Sequence, residues 1–164
     1  MKKFMTLFLC AVMVLTLVAC GNNGGSNGGN KEGDTMDLTA MVDKLYEGIK
    51  ADNMPMVMTQ EVPAEAFEGV FFIPAVAGAQ GVMSEPMMSS VAWSVCLLRV
   101  ADGTDVEAVR ADIEKNVNPA KWLCVEAKNV DVIANGNTIL LAMTGEGNEA
   151  THKIIVDNFN ALWK

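Results

Sequence analysis

A few residues in this chain have types and spacings that could do chemistry. His152 is the only histidine. A serine or cysteine nucleophile would need it as the base. It sits in the first turns of a C-terminal helical pattern with no nucleophile placed beside it, which reads as a solvent-facing helix position. Cys96 and Cys124 stand 28 positions apart. That is neither the Cys-x-x-Cys of a redox enzyme nor the clustered His and Cys of a zinc site. Both fall in segments of strand character. Neighbouring strands would bring them within disulfide range, and two free thiols packed as small apolar residues fit equally well. Met54, Met56 and Met58 alternate, and Met83, Met87 and Met88 follow. Thioethers ligate Cu(I), while the same side chains also fill irregular cores or form adaptable contact surfaces. Glu61, Glu65 and Glu68, and separately Asp43 and Glu47, are carboxylates at helical spacing. Such pairs can run glycoside hydrolysis, and solvated helix faces produce the same pattern. No calcium loop and no phosphate-binding Gly-Lys-Ser/Thr turn occurs. The sequence therefore assigns no catalytic residue, no metal ligand and no cofactor.

The strongest chemical signal lies at the N-terminus. Lys2 and Lys3 precede an almost unbroken apolar run over residues 4–17, followed by Leu17-Val18-Ala19-Cys20. This is the anatomy of a secretory signal peptide over residues 1–19. The run is short of the roughly 20 residues a membrane-spanning helix needs. Leu17-Val18-Ala19-Cys20 resembles the bacterial lipobox. The resemblance implies diacylglycerol transfer to the Cys20 sulfur. It also implies cleavage before Cys20 by the lipoprotein signal peptidase, with Leu17, Val18 and Ala19 as its recognition residues. The mature protein would then hold the membrane through acyl chains on Cys20, at the outer face of the cytoplasmic membrane.

Charge narrows the partners. The chain carries −8, which becomes −10 once Lys2 and Lys3 are removed. An acidic chain does not bind nucleic acid by neutralising phosphates, and an anionic lipid surface does not attract it. The anchor must then be the covalent lipid.

Residues 21–30 are glycine, asparagine and serine only. With no apolar side chain to bury, they cannot offset their ordering entropy. The reading is a lipidated cysteine and flexible tether over residues 20–36, then one globular domain over residues 37–164. A domain of that size can bury a core without disulfides or metals.

Within the domain, Leu38, Met41, Val42, Leu45 and Ile49 predict a helix over about 37–51, capped by Asp37 or Asp34. Short strands are expected near Met54–Met58 and Val70–Ile73, and residues 75–90 read as a loop that could line a peptide or partner groove. Residues 91–100 predict a strand, with Val91, Trp93, Val95 and Leu97 on one face and Ser90, Ala92, Ser94 and Cys96 on the other. Thr104 and Glu107 match a capping box for a helix carrying Val106, Val109, Ile113 and Val117, which Asn118-Pro119 stops. Residues 122–125 have strand character. Asn135-Gly136-Asn137 predicts a hairpin turn between two further strands. A last helix over about 148–162 buries Ile155, Phe159 and Leu162.

These elements predict an α+β fold of two layers. A mainly antiparallel sheet of three to five strands is packed by about three helices, and its second half suggests an incomplete ferredoxin-like unit. The lipobox and glycine-rich tether stand with Leu38 to Ile49, Glu85-Pro86-Met87-Met88-Ser89-Ser90, Cys96-Leu97-Leu98-Arg99-Val100 and Asn118-Pro119-Ala120-Lys121-Trp122-Leu123-Cys124-Val125. Together they resemble a family of uncharacterised lipoproteins of Gram-positive bacteria, over roughly residues 37–164. That resemblance implies localisation and a single-domain design, and no activity. The expected role is a non-enzymatic binding or interaction module. A small-ligand or copper receptor using the methionines, and an unrecognised hydrolase, stand as alternatives.

Overall fold

The computed structural model describes residues 31–164. Five strands, β1 (Val57–Val62), β2 (Gln80–Pro86), β3 (Trp93–Arg99), β4 (Asn129–Asn135) and β5 (Thr138–Thr144), form one sheet in the order β1-β2-β3-β5-β4. Every neighbouring pair is antiparallel. Five α-helices accompany it: α1 (Glu32–Thr35), α2 (Leu38–Leu45), α3 (Phe67–Val70), α4 (Val106–Asn116) and α5 (Glu149–Ala161). The α+β class and the antiparallel sheet packed by helices are as the sequence implies.

The periodicity of β3 decides the layers. Trp93, Val95 and Leu97 pack with Leu140 and Ala142 under Leu38, Met41, Val42 and Leu45 of α2 and Ile155 and Phe159 of α5. Cys96 and Leu98 pack with Ile139, Leu141 and Met143 under Phe67 and Val70 of α3, Phe71, Ile113 of α4 and Trp122. The main helical layer thus lies on one face, and the other has a thinner cover. β3 and β5 are apolar on both sides for that reason, as central strands covered on both faces must be.

β3, α4 and β4 form a crossover in which β5 lies between two parallel strands, but the unit departs from a ferredoxin-like one, which carries both its helices on one face. The two helices of that unit, α4 and α5, lie on opposite faces of the sheet.

Several local expectations are corrected. The folded part begins before residue 37. Gly33 N–H donates to the Leu162 carbonyl at 3.1 Å, so residues 31–36 belong to the domain and not to the tether. Asp37 does cap α2, accepting from the N–H groups of Thr39 and Ala40, but that helix ends at Leu45 and Gly48 follows with φ 83°. Asp105, not Thr104, caps α4, accepting from Ala108 N–H at 3.0 Å. Residues 70–73 are the end of a helical turn, where Phe71 and Ile73 enter the core. Residues 80–86, read as loop, are strand β2. Residues 122–125 are irregular.

Candidate functional site

The sheet has two ends of different character. At one, Gln80, Arg99 and Thr138 lie side by side in register; at the other, Ser84, Val95 and Ala142, then Trp93 and Thr144. With six steps of about 3.3 Å along β3, the ends are roughly 20 Å apart.

At the Trp93 end, three elements bring polar groups together beneath exposed methionines. Glu85 projects from β2 and Ser94 from β3. Lys121 comes from the turn after α4, where the Asn118 side chain accepts from Ala120 N–H and the Asn118 carbonyl accepts from Lys121 N–H. Lys121 Nζ donates to Glu85 Oε1 at 2.5 Å and to Ser94 Oγ at 3.3 Å. Ser94 Oγ donates to the same Glu85 oxygen at 2.6 Å and lies 3.2 Å from Cys96 Sγ. The Lys121 ammonium also stands 5.3 Å from the centroid of the Trp122 ring. Outside this cluster, Gly69, Glu85, Pro86, Met87, Ser89, Lys121 and Trp122 line a groove of about 320 Å³. Met58 is the cross-strand partner of Glu85, so the two side chains share a face. Met56, Met87 and Met88 are 92 %, 83 % and 70 % exposed, so the β1–β2 corner of this end presents thioether side chains to solvent.

A serine beside a lysine suggests nucleophilic chemistry, and the surroundings oppose it. Lys121 Nζ is paired with Glu85 and donates to the Ser94 oxygen, so it is placed as a donor to that hydroxyl and not as its base. Ser94 is fully buried and already gives its hydroxyl hydrogen to Glu85. Burial pushes the Cys96 thiol up to about 12, far from a thiolate.

His152 is not solvent-facing. It is buried, with Nε2 2.8 Å from Asp131 Oδ2 and Nδ1 3.1 Å from Thr144 Oγ1. Asn129 Nδ2 donates to the same threonine oxygen at 3.1 Å. Carboxylate, imidazole and hydroxyl stand in the order of a catalytic triad, but turned inside out. The hydroxyl is fully buried, whereas the Asp131 side chain is half exposed. A nucleophile must face its substrate. The chain of groups instead ties α5 to β4 and β5.

At the Arg99 end, the guanidinium holds the N-terminal segment. Arg99 Nη1 donates to the Met36 carbonyl and Nη2 to the Gly33 carbonyl, both at 2.8 Å, and Nε donates to Thr138 Oγ1 at 3.1 Å. Burial lowers the Arg99 pKa from its usual value, and nearby Asp34 and Asp37 oppose that shift. A polar cleft of about 530 Å³ lies beside it, with Gln80, Asp102 and Asn137 among its walls.

No family model, curated protein or solved structure matches this chain.

The sequence candidates distribute unevenly over this frame. Of the methionines, Met54 packs with the α2 and α5 side of the core and Met83 with the opposite side, so the two cannot serve one ion. Met56, Met58, Met87 and Met88 are the exposed ones. Glu61, Glu65 and Glu68 fall in β1, a 3₁₀ turn and α3, and do not share a helix face. Cys96 and Cys124 are both free thiols, one enclosed in the sheet and the other exposed in a loop, so the pairing weighed from the sequence is not formed. Leu17, Val18, Ala19 and Cys20 lie outside the described residues. Among the described residues no helix is long and apolar enough to cross a membrane. Glu85, Met87, Met88 and Ser89 fall inside the segment marked as a possible groove. Lys121 carries no sequence signal, because its role depends on a contact 36 residues away.

Proposed function

We propose that this protein is a lipoprotein anchored at the outer face of the cytoplasmic membrane through Cys20, of the Gram-positive kind its sequence resembles. We read it as a non-enzymatic interaction module. One observation carries the second part: the exposed methionines gather at the sheet end opposite the one to which Arg99 clamps residues 33–36. A chain lipidated at Cys20 reaches the domain at the Arg99 end. The methionine surface then lies at the end of the domain remote from that attachment point, where a partner can reach it. Unbranched thioether side chains suit such a surface, because they repack around different apolar shapes.

Two measurements test this. Cys20→Ser should remove the protein from the membrane fraction or leave unprocessed precursor; normal maturation and membrane retention would overturn the anchor. A photo-crosslinker at position 88 should capture defined partners in intact cells. Met56→Ser/Met58→Ser/Met87→Ser should abolish that capture without lowering thermal stability. Capture unchanged by the triple substitution would overturn the contact surface.

A further inference from the structure

We infer that Met56, Met58 and Met87 form a surface site for a soft monovalent cation, Cu(I), held by their three thioether sulfurs. The inference adds an ion to the β1–β2 corner and does not depend on a protein docking there.

The sheet register brings these side chains together. Val57 pairs with Pro86 and Met58 with Glu85. One step beyond the last pair, the same register sets Met56 opposite Met87. Side chains alternate along a strand, so Met56 shares a face with Met58 and Met87 shares one with Glu85. Met58 and Glu85 are cross-strand partners and share theirs, which places all three methionines on one face of the corner. Met87 and Glu85 line one groove, as that register requires. Directly opposed side chains start about 4.5–5.5 Å apart, and alternate ones along a strand about 7 Å apart. With three rotatable bonds each, methionine side chains span such gaps and can converge their sulfurs on one ion. Pro55 and Pro86 immediately precede Met56 and Met87, and their fixed φ stiffens the backbone that presents both.

Residue type then selects the ion. Met56, Met58, Met87 and Met88 are all but one of the large hydrophobic side chains exposed among the described residues, the other being Leu123. Leucine or valine would serve a purely apolar contact as well. What methionine adds is a polarisable sulfur lone pair, a soft donor that favours Cu(I) over harder cations. Zinc, calcium and magnesium take nitrogen, thiolate or oxygen ligands, and among the described residues no three His, Cys, Asp or Glu side chains gather to hold them. Because the methionines are exposed, an ion held by them stays open to an incoming ligand. It can be handed on by ligand exchange, arriving and leaving as Cu(I) with no electron transferred.

The test uses the mature lipidated chain in phospholipid nanodiscs, with Cys124→Ser so that the exposed thiol takes no metal. The probes are Cu(I), held under argon against a competing chromophoric chelator, and Ag(I) as its redox-inert stand-in in chloride-free buffer. One equivalent should bind. With ¹³C at the methionine methyl groups, the signals of Met56, Met58 and Met87 should shift and saturate together, while those of the core residues Met41 and Met143 stay in place. Met56→Leu/Met58→Leu/Met87→Leu keeps the apolar surface and removes the sulfurs. It should abolish uptake and leave partner capture from position 88 intact. Zn(II) in excess should not displace the bound ion. Absence of one-to-one uptake would overturn the inference, and so would uptake unchanged by the leucine substitutions. If either occurs while the serine substitutions still abolish capture in cells, the contact surface stands and the ion site does not.

Discussion

Gly33 lies directly against the indole of Trp163: a Cβ at Gly33 would stand 2.4 Å from Cζ2 and 2.5 Å from Cε2 of the ring. Trp163 in turn packs on Phe159 of α5 at 4.9 Å between ring centroids and donates from Nε1 to Asp34 at 2.9 Å. The first and last described segments are thus locked together at the end from which the N-terminal chain departs.

Gly33→Ala should loosen that lock. The indole is held on both sides, so relief must come from displacement of residues 31–36, at a cost of about 1–3 kcal/mol. Hydrogen exchange at the Gly33 amide, which donates to Leu162, should accelerate at least ten-fold. Unchanged protection would show that the ring moves aside freely. Trp163→Leu in the same chain should recover part of the loss.

Arg99→Lys tests the clamp by chemistry and not by charge. Three acceptors, the carbonyls of Gly33 and Met36 and the Thr138 hydroxyl, match the fork of a guanidinium. A single ammonium cannot reach all three. The expected loss is about 2 kcal/mol in chemical denaturation, with earlier proteolysis near residue 36. Full retention of stability would mean that water replaces the lost donors without cost.

The two thiols should differ sharply toward an alkylating reagent at pH 8. Cys124 is exposed and should react within minutes. Cys96 is fully enclosed, with its pKa pushed up to about 12 by burial, and should react only on unfolding. Tyr46 is also pushed up to about 12 by burial. Both groups lose protons in the unfolded chain before they do so in the folded one. Their raised pKa values therefore leave stability intact below about pH 9 and erode it as pH rises toward 12. A denaturation midpoint that stayed flat from pH 8 to pH 11 would contradict this.

Lys121→Met should destabilise the fold by about 2 kcal/mol, less than for a fully buried pair because Lys121 and Glu85 keep 14 % and 23 % side-chain exposure. The lone Glu85 carboxylate causes most of that loss. Glu85→Gln/Lys121→Met should therefore be more stable than the sum of the single variants implies, with a coupling of about 1 kcal/mol in a double-mutant cycle. Additive effects would mean that the two side chains do not interact.

The legible parts of this molecule are those whose signals are local. Leu38, Met41, Val42 and Leu45 face one way because a helix turns every 3.6 residues, and they meet the sheet as that spacing requires. Asn135-Gly136-Asn137 closes the β4–β5 hairpin, with Gly136 at φ 54° where a side chain would be strained. Strand β3 follows from its alternation. Strand β2 was hidden for an equally physical reason. Gly81 and Ser84 break its apolar pattern, yet a Cβ at Gly81 would stand 2.8 Å from the Phe71 ring, and Ser84 accepts a hydrogen bond from Thr59 across the sheet. Both residues are set by neighbours that arrive from elsewhere in the chain.

By itself the sequence determined the α+β class, the three long helices, the hairpin and the expectation of a lipid anchor at Cys20. Each rests on residues close together in the chain, where spacing alone fixes which side chains face the same way. Only the tertiary structure decided that His152 is buried between Asp131 and Thr144, that Lys121 reaches Glu85, and that Arg99 holds Gly33 and Met36. Those partners are 8 to 66 residues apart. They meet because the strand order β1-β2-β3-β5-β4 brings distant segments to common sheet ends. No local pattern encodes that order, since it is set by how the whole apolar surface is buried at once.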